Sequence, residues 1–142
     1  MSITFAQQHC ELVEIAQDIV NAVRANTAAS LQDFTRSRLR LARAVQKHVG
    51  PEIALIQQLD RSVKGSDQQA LLSKYHDDLR AWRMLLTECN AKWPTASVTA
   101  NPSAFLSDFQ PIQRALEQRV KWEEDVFYPN VLSREHLGCA AA

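Results

Sequence analysis

The side chains best suited to chemistry in this sequence are polar residues on faces that otherwise point inward. His48 and Glu52 fall between Val45 and Leu55, four residues apart, and so share one helix face. His76 follows Leu72 by four and flanks Leu79. Arg119 and Glu123, again four apart, lie between Leu116 and Phe127, with Glu124 alongside, and His9 sits between Phe5 and Leu12. Imidazole and carboxylate donors on facing helices are what a metal centre of the di-iron type requires. Arginine stays protonated and has no lone pair to give a metal. Arg119, and Arg80 four residues after His76, can instead supply positive charge and directed hydrogen bonds to Glu52, Glu123 or Glu124. A simpler reading stays open, in which each His is a satisfied core residue and each i,i+4 pair a helix-face contact.

Four stretches with apolar residues spaced by three and four must position these groups. They run from about Phe5 to Ala25, Leu31 to Arg61, Asp67 to Lys92 and Ser103 to Leu132. Pro111 falls inside the last, which predicts a short helix followed by a longer one starting near the proline. Gly50-Pro51 is expected to interrupt the second helix between His48 and Glu52. Asn26-Thr27 can end the first helix, Ser30 can cap the second, and Ser66 or Asp67 can cap the third after Gly65. The Thr-, Ser-, Ala- and Pro-rich segment from Trp93-Pro94 to Pro102 reads as the longest loop. Short connections favour antiparallel neighbours, so the expected fold is all-α, an up-down-up-down four-helix bundle. At about 1.5 Å rise per residue, His9, Glu52, His76 and Glu123 then lie roughly 6–14 Å from one end, with His48 and Arg119 near ~20 Å. Within the uncertainty of helix ends, these form one layer of the core.

Composition sets the outer bounds. The chain has 142 residues, enough for one domain, with 16 Lys+Arg against 16 Asp+Glu. A general nucleic-acid or anionic-membrane binder needs a positive surplus, so neither partner is expected. Only 3 Gly and 5 Pro are present, too few turn formers for a small all-β fold. Cys10, Cys89 and Cys139 have no paired spacing, the first residues lack a basic and apolar export signal, and no apolar run reaches membrane-spanning length. A cytoplasmic location is expected. Residues 1–135 are assigned to the bundle and 136–142, ending Cys139-Ala140-Ala141-Ala142, to a flexible tail. The Arg36–Arg43 run reads as a solvated helix face, and no phosphate loop, nucleophile elbow or paired-cysteine site is present.

At the inward polar residues the sequence resembles the hemerythrin-like family, also called HHE cation-binding domains. That family places a His near the start of helix one, His-x3-Glu on helix two, a His on helix three and His-x3-Glu-Glu before an aromatic-Pro on helix four. Here the second stretch has His48-Val49-Gly50-Pro51-Glu52, the third has Tyr75-His76-Asp77, and the fourth has Glu123-Glu124 followed by Phe127-Tyr128-Pro129. The resemblance implies a metal site built from His48, Glu52, His76, Glu123 and Glu124. Arg119 stands where the family's helix-four His would be, and Arg80 where oxygen-carrying members have a further His. The expectation is therefore a degenerate cation site in which Arg119, alone or with Arg80, replaces the metals. No cofactor is then held and the role is non-catalytic, in binding or regulation. The alternative is a surviving iron site serving oxygen or redox sensing or iron handling. A third reading is a module that binds an unknown protein partner through a purely structural bundle, and a homodimer is also left open.

Overall fold

The computed structural model describes residues 5–60 and 65–132, and these are helical almost throughout, with no strand among them. The proposed tail, with Cys139, and the end of the second stretch at Arg61 lie outside the described residues. The elements are α1 (Phe5–Ala25), α2 (Ala28–Asp60), α3 (Ser66–Lys92), the short α4 (Thr95–Ala100) and α5 (Pro102–Trp122). A π-helical turn (Glu123–Phe127) then leads into α6 (Tyr128–Val131). None of the described helices is long and apolar enough to cross a membrane.

The junction between α1 and α2 is tight. Asn26 takes a left-handed backbone, φ 47°, which asparagine tolerates better than most residues. Thr27, and not Ser30, caps α2: the Thr27 hydroxyl accepts from the Ser30 N–H at 3.0 Å, while the Ser30 hydroxyl accepts from the Thr27 N–H at 2.8 Å. Two otherwise orphaned donors are satisfied reciprocally, so α2 starts three residues earlier than periodicity suggests. At α3 the cap position falls to Gly65, and Ser66 is already helical.

Both internal prolines are carried inside continuous helices, contrary to the expectation of breaks. Each removes one N–H and orphans the carbonyl four residues earlier. Those residues, Lys47 and Ser107, lie on exposed faces, where water can take the carbonyl. At Pro51 a second factor helps: the preceding residue is Gly50, which has no Cβ to collide with the proline ring. The predicted long loop after α3 contains the helical turn α4, whose Val98 is fully buried.

Packing follows the stripes. α1 lies along α2 and also packs on α5, and α5 packs on α3, whereas α2 and α3 approach each other far less closely. On α3 the buried residues are Leu72, Tyr75, Leu79, Trp82, Leu86 and Cys89, a strict three-four alternation. Away from the polar layer the core is aromatic: Phe105 meets Phe34 edge-on at 5.3 Å and stacks on Phe109 at 5.4 Å. Trp82 donates its indole N–H to the Ile112 carbonyl at 3.1 Å, tying α3 to α5.

Alanine at an open helix site is worth about 1 kcal/mol over glycine, and a Cβ at Gly50 would meet nothing beyond its own neighbours. If Gly50 serves to seat the Pro51 ring, Gly50→Ala gains much less than that in urea denaturation. Recovery of the full increment would show that the glycine has no such role.

Candidate metal centre

Four buried side chains from three elements converge on one point. His9 from α1, His48 and Glu52 from α2, and Glu123 from the π-helical turn are each at most 3% exposed, and their donor atoms all lie within 4.8 Å of one another. His9 Nε2 is 3.1 Å from His48 Nε2 and 3.1 Å from Glu123 Oε2, and His48 Nε2 is 3.1 Å from Glu52 Oε2. Four donors held about 2.0–2.1 Å from a tetrahedral metal are spaced roughly 3.3 Å apart. The three 3.1 Å separations are close to that spacing, and the remaining pairs lie within 4.8 Å.

The outer nitrogens orient the rings. The Gln8 amide oxygen lies 2.8 Å from His48 Nδ1, and Glu124 Oε1 lies 3.1 Å from His9 Nδ1. Each oxygen accepts the Nδ1 proton, which turns both Nε2 lone pairs toward the centre. Such acceptors behind metal-binding imidazoles fix the tautomer and raise ligand basicity. Two lone pairs facing each other at 3.1 Å repel unless a cation lies between them. That cation can be a proton or a metal ion.

Charge is concentrated here. Glu52 accepts hydrogen bonds from both the Tyr75 and Tyr128 hydroxyls. Burial would push its carboxyl up, but the bond and charge of His48, then the two phenols, outweigh burial and hold it down to about 2. Burial pushes Glu123 up, reinforced by the charge of Glu52 and opposed by His9 and Arg119. His9 is raised: burial lowers it, but Glu123, then Glu124 and Glu52, favour the imidazolium. Burial and the Glu52 charge push both phenols up, so they remain hydrogen-bond donors.

Arg119 does point inward. Its Nη2 lies 3.5 Å from Glu123 Oε1 and donates to the Tyr75 carbonyl at 3.2 Å, while the guanidinium covers the Tyr75 ring at 4.7 Å. Its Nη1 is buried with no hydrogen-bond partner among the described residues. Beside it lies a cavity of about 20 Å³, lined by Leu12, Val49, Leu79 and Leu116 together with the His and Glu donors. That volume holds about one water, which can satisfy Nη1.

The structure therefore brings His48, Glu52 and Glu123 together and adds His9, while Glu124 reaches the ring of His9 from a position 40% exposed. It does not bring in His76. The buried α3 stripe passes through Tyr75, so His76 is turned about 100° off it, half-buried and edge-on to the Tyr75 ring. Arg80 lies with His76 in an outer groove between α3 and Ile53 of α2, and forms no ion pair with Glu52 or Glu123. Tyr75, Tyr128 and Gln8 are members that the sequence reading missed. Tyr75 was detectable as part of the three-four alternation. Tyr128 was not, because its placement depends on the π-helical turn. The Tyr128 N–H bonds to the Glu123 carbonyl five residues back, and the widened turn points Glu123, Phe127 and Tyr128 all inward. Pro129, which can neither donate to the Asp125 carbonyl nor pack its ring against it, gives the turn a reason to widen there.

The four donors could hold a metal ion. No further imidazole comes from α3, and a permanent cation occupies the space beside Glu123.

Proton linkage in the metal-free protein follows from these directions. A depressed Glu52 stabilises the fold above 4.5, and that stability is lost as pH falls from 4.5 to about 2. A raised His9 works oppositely: its contribution is complete below 6.5 and is lost as pH rises through its folded value. Glu52→Gln should flatten the acid limb of a stability–pH profile recorded by urea denaturation in chelator, and should weaken the neutral limb less, since Glu123 and Glu124 still favour the His9 imidazolium. An unchanged acid limb would mean that Glu52 does not titrate as described. Compared with known proteins, the chain matches no family model, no curated protein and no solved structure.

Proposed function

We propose that this chain is a hemerythrin-like, antiparallel four-helix bundle whose cation site is reduced to one ion position, with a binding or regulatory role and no turnover of its own. The observation that carries this reading is the pair of imidazole Nε2 atoms 3.1 Å apart, each backed by an acceptor on Nδ1 and flanked by a buried carboxylate. His9, His48, Glu52 and Glu123 would hold the ion. A mixed nitrogen and carboxylate set suits ferrous iron or zinc, and the family resemblance favours iron. An iron ion there would supply an oxidation state that can change, the property a redox or oxygen sensor needs.

The chain's own residues define how the site is used. Arg119 places fixed positive charge beside Glu123, where the resemblance puts a histidine, and so offsets carboxylate charge that a second metal would otherwise need. Tyr75 and Tyr128 hold both oxygens of Glu52 and limit its freedom to swing. Leu12, Val49, Leu79 and Leu116 wall the centre and leave room for about one water. A closed centre of this kind suits slow exchange and signalling better than the passage of a large substrate.

Metal analysis of protein purified from iron- and zinc-supplemented cells tests the reading. One tightly held ion per chain is expected, and His48→Ala should weaken binding by at least the roughly 10–100-fold lost when only a ligand's supporting partner is removed. Two tightly held ions per chain, or none after supplementation and anaerobic reconstitution, would overturn it. The same measurement on Arg119→His reports whether the arginine is what restricts the site to one ion.

A further inference from the structure

We infer that the seam between α2 and α3 is a binding site for a small organic anion with an apolar body, of the kind represented by a medium-chain carboxylate. The site is separate from the metal centre and does not depend on it. Three independent features meet there. First, α2 and α3 are helices of one bundle that pack far less closely than α1 with α2 or α3 with α5, and the space between them forms a groove of about 430 Å³. Second, the groove carries apolar surface from both helices: Ile53 from α2, with Leu79 and Met84 from α3. Met84 is 56% exposed, an unusual position for a side chain that gains from burial. Third, Arg80 and Arg83 line the same groove, both exposed, and neither forms an ion pair among the described residues. Acidic residues are close along α3, but Asp78 is taken by Lys74 at 2.6 Å.

The geometry favours a compact anion. Arg80 and Arg83 are three residues apart on one helix face, so both guanidinium groups can reach a single head group. A planar carboxylate accepts paired N–H donors from arginine, and His76 on the same wall offers a further ring nitrogen. An extended acidic peptide would spread its charges along the helix, whereas here two cations converge beside an apolar floor. The volume lies in the range of small-molecule sites. A head group on the arginines places an attached hydrocarbon over Ile53 and Met84, where it would cover the exposed thioether.

Octanoate and 1-octanol, which share a chain and differ in charge, provide the test. Titration of the full chain is followed by amide correlation spectra. Octanoate should shift resonances around Arg80–Thr87 and Ile53, and octanol should bind at least roughly tenfold more weakly, the loss expected when a charge-assisted pair is removed. The double variant R80E/R83E should bind octanoate at least tenfold more weakly with its circular dichroism and melting temperature unchanged, since both side chains are exposed. Equal binding of octanoate and octanol would overturn the inference. So would wild-type affinity in the variant, shifts confined to other surfaces, no shifts at all, or a response to poly-glutamate but not to octanoate.

Discussion

Two buried imidazole nitrogens face each other 3.1 Å apart, between two buried carboxylates, and the rest of the structure has to supply the positive charge this arrangement demands. Burying unpaired charge is expensive, and in practice such groups are paired, neutralised or bound to a metal. The protein answers in graded ways. His9 holds a proton more tightly than a free imidazole, Arg119 contributes a permanent charge at Glu123, and two phenols donate to Glu52. A metal ion is the remaining source of charge, and under the proposed reading it replaces the proton at His9.

This demand also accounts for the backbone irregularities near the centre. α2 runs for 33 residues and carries two of the four donors across an internal proline. A break there would separate His48 from Glu52, so the Gly50-Pro51 pair is informative: a residue without a Cβ precedes the ring, and the orphaned carbonyl faces solvent. The π-helical turn after α5 does the complementary work. It changes the helical register so that Glu123 and Tyr128 face the same centre, which a regular α-helix does not allow for residues five apart.

The open side of the bundle contrasts with this closed centre. α1, α2 and α5 pack tightly around the polar layer, while α3 contributes Tyr75 to it and turns His76 and Arg80 outward into the groove beside α2. Residues one position apart on α3 thus serve different environments. Leu79 stands between them, touching the internal cavity on one side and the groove on the other.

By itself the sequence determined the helical class, the extent of α1 and α3, and the inward placement of His48, Glu52, Arg119 and Glu123. Those properties depend on local periodicity and on neighbours three and four residues away. The caps and the breaks were less legible: Thr27 and Ser30 divide the capping task between them, and two prolines that look like helix breakers sit on solvent faces where their cost is small. Membership of the polar layer was decided only by tertiary structure. His76 and Tyr75 are adjacent and equally plausible from spacing alone, until the packing of α3 against α5 selects the face through Tyr75. Spacing and helix rise already put His9 at the level of the layer, whereas Gln8 and Tyr128 join through contacts 40 and 119 residues apart in the chain, which no local pattern encodes. Local spacing constrains the rotation of a helix only to within about one residue, or 100°, and at this centre that one residue separates a group that faces the buried donors from one that faces solvent.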